Sequence, residues 1–193
     1  MIDLGRFDDT PFFSIFRPFL EFIGEGKHFS ILYSIIHFAM AILNLLLPFV
    51  ILYKAIDSRI FSFGAKYGFA FVLMWLIIAF ACWIGLQFWW DRRRKATELG
   101  SPEFIAMPFF SGILQTFGEC VGIEIGIIGA GGGLLASIFL GRDVNYLFSM
   151  IGLNFMRYGV AVIIIGPIIG IVTMLIFRFI AELIRVLAAI ANR

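Results

Sequence analysis

Few residues of this 193-residue chain are of a type that could do chemistry, and most of those lie inside apolar runs. Glu119 and Glu124 stand in the glycine-rich stretch 118–141, and His37 and Asn44 stand in an earlier apolar stretch. An ionised carboxylate at the centre of a bilayer costs about 3 kcal/mol or more, so such a group is paired, protonated or turned to water. At 100° per residue the two glutamates are about 140° apart around a helix, so they do not form one carboxylate pair. Gln115 shares a face with Glu119, and Cys120 shares one with Glu124. His37 and Asn44 share a face at a spacing of two turns. These four residues, Glu119, Glu124, His37 and Asn44, form a candidate intramembrane polar site. Its chemistry would be proton or cation handling, or hydrogen bonding within the fold. Glu124 is foremost, one turn inside the membrane, with Glu119 at the cytoplasmic interface.

Other chemistries find no support. Neither a Ser/His/Asp nor a Cys/His arrangement is visible, so no catalytic residue is assigned and no enzyme is expected. His28 and His37 are the only histidines, too few for a His-based metal site, and no cofactor is expected. The run Gly129-Ala-Gly-Gly-Gly133 is no phosphate loop, because no Lys-Ser/Thr follows it. Cys82 and Cys120 both lie in apolar runs and suggest no disulfide framework. A net charge of +2 does not call for a nucleic-acid partner.

The elements that must carry these residues are membrane helices. Hydrophobic residues make up 61% of the chain and charged residues 15%, far from a soluble domain, and Phe alone occurs 24 times. The expected fold is all-α and polytopic, a single membrane domain with four transmembrane helices at 30–53, 64–90, 118–140 and 158–177. An interfacial helix is expected at 10–24, or else a helix packed against its own bundle or a partner: Thr10-Pro11 starts it, Gly24 and Gly26 end it, and it is too short to span. The acidic start Met1–Asp9 is no secretory signal, so the first span would act as an uncleaved insertion signal. From Met107 to Leu140 the chain stays apolar for 34 residues. Either a helix tilts and projects, or a short interfacial helix near 108–117 precedes the span; the second is preferred.

The last span continues as an amphipathic helix over 178–191. Arg178, Glu182 and Arg185 make its charged stripe, and the rest is too apolar to stand free in water. Two small-residue stripes mark the third span, Gly118/Gly122/Gly126 and Gly129/Gly133/Ser137. They imply close packing against two neighbours, and Gly166/Gly170 permits the same in the last span. Arg92, Arg93, Arg94 and Lys95 form a cytoplasmic topology signal that also attracts anionic lipid headgroups. With four spans, ten Lys and Arg fall on that side and five on the other, which places both termini in the cytoplasm.

The tail Arg178-Phe-Ile-Ala-Glu-Leu-Ile-Arg-Val-Leu-Ala-Ala-Ile-Ala191, preceded by Gly166-Pro167, resembles the end of certain small, uncharacterised bacterial membrane proteins. Phe13-Ser-Ile-Phe-Arg17 is similar to how some of them begin. The resemblance covers about a quarter of the chain and implies a bacterial origin, which with the apolar composition gives the inner membrane as the expected location. It carries over no functional residue. Two functions follow as expectations. The first is a structural or accessory subunit of a larger membrane assembly, with lipid, other membrane subunits or further copies of itself as partners. The second is a small homo-oligomeric channel or transporter using Glu124 and Glu119. Differing glycine content and loop charge in the two halves speak against a transporter repeat and favour the first.

Overall fold

The computed structural model describes residues 27–94, 106–140, 152 and 160–191. The interfacial helix expected at 10–24, Lys95 and Gly141 lie outside them. All the regular structure described is helical: α1 (Lys27–Asp57), a 3-10 turn (Ile60–Phe63), α2 (Ala65–Arg94), α3 (Ala106–Leu135) and α4 (Val160–Ala191). A π-type turn, Ala136–Leu140, extends α3. Four of these helices are long and apolar enough to cross a membrane, and the chain is a multi-pass membrane protein.

α1 and α2 are joined by a tight connection. Arg59 takes a left-handed φ of 53° and Gly64 a φ of 121°, the latter open to glycine at little cost. Between them Ile60 is fully buried and anchors the turn in a core of Ala55, Phe71, Met74, Ile78, Leu135 and Val162. Pro48, inside α1, leaves the Asn44 carbonyl without its helical donor. The Pro48 carbonyl accepts a 2.8 Å hydrogen bond from Trp75 Nε1, tying α1 to α2.

The 30 residues of α3 run without a break. The separate interfacial helix expected near 108–117 is instead the first third of this helix. Pro108 falls in the first turn, where backbone N–H groups have no intrahelical partner, so it starts the helix without interrupting it. The amphipathic segment 178–191 is likewise continuous with its span, forming one 32-residue α4. Both helices exceed what a hydrocarbon core of about 30 Å requires at 1.5 Å per residue.

α3 and α4 pack antiparallel along nearly their whole length, backbone against backbone. Gly118 lies against Phe177, Gly122 against Gly170 and Met174, Gly126 against Pro167, and Gly129 against Gly166. The contact spacing of four, four and three residues is eleven residues in three turns, close to the natural helical period. A nearly straight helix pair can therefore hold it. The expectation of one neighbour per small-residue stripe is corrected here: Gly129, from the second stripe, continues the first along the same face toward α4. Ser137 turns its hydroxyl onto its own helix, 2.7 Å from the Gly133 carbonyl. α2 meets α3 through Gly131, where a Cβ would come 3.0 Å from Ile77, and through Gly85 on α2 itself.

The seam makes a discriminating prediction. A Cβ on Gly129 would lie 2.7 Å from Gly166 Cα, whereas one on Gly126 would lie 3.7 Å from Pro167 Cα, an ordinary contact. Gly129→Ala should cost about 1–3 kcal/mol by overpacking, read as a lowered thermal midpoint in detergent. Gly126→Ala should stay near wild type, and equal effects at the two positions would count against this packing.

Candidate functional site

At the end of the bundle formed by the C-terminus of α2 and the N-terminus of α3, a polar clamp crosses three helices. Ser111, Gln115 and Glu119 recur every four residues on α3 and so make one row along it. Arg92 of α2 pairs with Glu119 at 2.8 Å. Gln115 Nε2 donates to Glu119 Oε1 at 2.7 Å, and its own Oε1 accepts from Arg185 Nη2 of α4. Arg185 Nε donates to Ser111 Oγ at 3.1 Å. One carboxylate and one amide thus hold a guanidinium from each neighbouring helix. Arg92 also stands in the last turn of α2, where the helix dipole favours a cation. Arg93 is placed differently: its Nε donates to Ser34 Oγ at 3.0 Å, and its guanidinium lies 4.8 Å from the Phe38 ring centroid and 5.4 Å from Trp90. Arrangements of this kind contribute about 0.5–2 kcal/mol beyond charge alone.

Further in, His37 is fully buried. A carbonyl only accepts, so the 2.8 Å contact of His37 Nδ1 with the Tyr33 carbonyl places the ring hydrogen on Nδ1. The ring stacks on Tyr33 at 3.9 Å and meets Trp89 edge-on at 5.0 Å. Among the described residues neither His37 Nε2 nor Trp89 Nε1 has a hydrogen-bond partner.

Deeper still, Asn44 of α1 and Cys120 and Glu124 of α3 converge on Gly85 of α2. Cys120 Sγ lies 3.4 Å from Glu124 Oε1 and 4.0 Å from Asn44 Oδ1. The space beside Gly85 exists because it has no side chain. A Cβ there would fall 2.6 Å from Asn44 Oδ1, 2.7 Å from Glu124 Oε1 and 2.9 Å from Cys120 Sγ. Asn44 Nδ2 is spent on the Met40 carbonyl at 3.1 Å, so its oxygen is the atom that faces the cluster. Beyond it lies the apolar core around Ile78 and Phe71.

The four candidates from the sequence therefore do not form one site. Glu119 belongs to the clamp, His37 to an aromatic pocket, and Asn44 with Glu124 to the inner cluster. Sequence reasoning paired Gln115 with Glu119 and Cys120 with Glu124, and both pairs are hydrogen-bonded. It missed Arg92 and Arg185 as partners of that row, because a basic cluster and an amphipathic tail have simpler explanations. It also missed Gly85, an isolated glycine in an aromatic-rich helix. Among the described residues no three His, Cys, Asp or Glu side chains are grouped to hold a metal ion. Cys120 has a carboxyl group as its polar neighbour and no cation in contact, which is not how a thiol is activated.

The clamp predicts non-additivity. The side chains of Arg92 and Glu119 are 29% and 14% exposed, so the pair is neither fully buried nor freely solvated. Arg92→Gln and Glu119→Gln should each cost about 1–3 kcal/mol in detergent unfolding. The double variant should cost less than their sum, and additivity within about 0.5 kcal/mol would remove the pair from the energetics.

Comparison with protein-family models, with curated proteins and with solved structures finds no match.

Proposed function

We propose that this chain is a non-catalytic structural subunit of a larger bacterial inner-membrane assembly, inserted with both termini in the cytoplasm. The observation that carries the reading is the condition of α4. Among the described residues its one extensive contact is with α3, and only 17% of its apolar span is buried, against 39% of that of α2. A ridge of large apolar side chains, among them Ile164, Ile168, Ile171, Leu175, Phe179, Leu183 and Val186, is left exposed. Lipid suits the membrane-embedded part of that ridge. The part beyond Phe177 continues past the level of the Arg92–Glu119 pair, where headgroups and water begin, and there it suits a protein partner better. The clamp supports the same reading. It uses Arg185 to hold α4 rigidly on α3, as a docking surface requires, and leaves the ridge on the outer faces.

The orientation follows the positive-inside rule: Arg92, Arg93, Arg94, Arg178 and Arg185 gather at the end taken as cytoplasmic. The bacterial origin is taken from the resemblance of the tail, and the inner membrane from four apolar helical spans in such a cell. A small homo-oligomeric channel has one point in its favour, the inner cluster at Glu124. The apolar layer of Phe71, Met74, Ile78 and Leu135 argues against a polar path continuing from it through one copy of the chain.

The test is purification of the tagged protein from its own membranes in mild detergent, with mass spectrometry of the eluate and a particle mass. Stoichiometric foreign polypeptides are expected, lost on Leu183→Glu with Val186→Glu while the chain itself stays folded. A pure homo-oligomer or a monomer would overturn the reading.

A further inference from the structure

We propose that Glu124 is a proton-binding site, its carboxyl group carrying a hydrogen that it donates to Asn44 Oδ1. Donors and acceptors at the site point to a bound hydrogen. Two oxygens and a sulfur share a space of about one methyl group beside Gly85. Asn44 turns its acceptor inward because its amide nitrogen donates to the Met40 carbonyl on the other side. The Cys120 thiol has a single hydrogen, and at 3.4 Å from Glu124 Oε1 it is the one donor given to that carboxyl group. An ionised Glu124 would therefore rest on one weak S–H donor while facing the negative end of an amide dipole in an apolar surround. A protonated Glu124 uses every group: it accepts from Cys120 and donates to Asn44.

Among the described residues, the elements packed around the site bring no cation to it. α1 contributes Asn44, with His37 two turns outward against Trp89. α2 contributes Gly85 and the neutral thiol of Cys82, and its Arg92 is held by Glu119. α4 faces the glycine side of α3, and its ionic groups Arg178, Glu182 and Arg185 all lie at the clamp end. Release of the proton thus needs water brought in between α1, α2 and α3, to accept the proton and to solvate the carboxylate left behind, and the bound proton secures the joint of those helices. The proposal is independent of the assembly reading and stands or falls by different measurements.

The experiment uses the full chain in liposomes at neutral pH. The primary measurement is the infrared C=O stretch of a protonated carboxyl group in wild type minus Glu124→Gln. Such a band is expected, and Asn44→Leu should shift it by removing its acceptor. Treatment with dicyclohexylcarbodiimide is the second measurement. The Glu124 O–H adds across one C=N bond of the reagent, the proton going to nitrogen and the oxygen to carbon. Rearrangement to the N-acylurea expels nothing, so the peptide gains the whole reagent mass. The adduct is expected on Glu124 and not on Glu119, which Arg92 holds. Absence of the band from the difference spectrum overturns the proposal, whatever the reagent does. Equal labelling of Glu119 overturns it as well. Suppression of labelling by sodium ions at fixed pH would replace the proton with a bound cation.

Discussion

The backbone approach of α3 to α4 is the constraint on which the rest of the structure depends. Lipid is as apolar as leucine, so nothing like the hydrophobic effect pushes membrane helices together, and close dispersion contact must do so. Glycine at 118, 122, 126 and 129 of α3, answered by Gly166 and Gly170 of α4, allows that approach. The seam fixes which way every other side chain of α3 points. Gln115 stands about 60° from Gly118 around the axis, Glu119 about 100°, and Cys120 about 200°. Gln115 is thus turned toward α4 and reaches Arg185, Glu119 is turned sideways to Arg92, and Cys120 with Glu124 lies across the helix, toward α1 and α2. Three polar environments follow from one packing choice.

Depth then decides what each environment is. At the clamp a carboxylate faces one guanidinium and an amide the other, and the partial exposure of Arg92 leaves it some solvation. Two turns inward the same helix offers no arginine, and polarity is met by neutral groups: an amide, a thiol and a carboxyl group. A charge there would have to be compensated across a medium of low dielectric, and a proton does this with the least rearrangement. Between the two levels His37 and Trp89 form an aromatic layer, their rings edge-on at 5.0 Å.

Much of this architecture was legible in the sequence, because membrane residence and helical period are written locally. Four spans, the face shared by Gln115 and Glu119, the face shared by Cys120 and Glu124, and the small-residue character of α3 all follow from composition and a 100° step. Partners across helices are not written locally. Arg185 was read as half of a surface stripe with Arg178 and Glu182, and it is Arg178 that pairs with Glu182, at 3.4 Å, while Arg185 crosses to α3. An apolar run of 34 residues, longer than one span needs, suggests an interfacial helix over 108–117 before the span, yet nothing in the sequence breaks the helix at 117–118 and α3 runs through it. The two glycine stripes appeared to demand two neighbours because each was traced at a strict spacing of four. A helix turns every 3.6 residues, so a step of three carries one stripe into the other.

Gly85 shows why the inner cluster in particular was out of reach. Glycine in a membrane helix ordinarily means that another backbone comes near, as Gly166 does at Gly129. At Gly85 the three nearest atoms to the place of the missing side chain are side-chain oxygen and sulfur from two other helices. The two uses are identical in sequence and opposite in consequence, since one removes space between helices and the other keeps space for oxygen and sulfur. Asn44 and Glu124 have room to meet only because α2 gives up a side chain between them. Their joint chemistry is therefore a property of three helices assembled, and none of the three carries it alone.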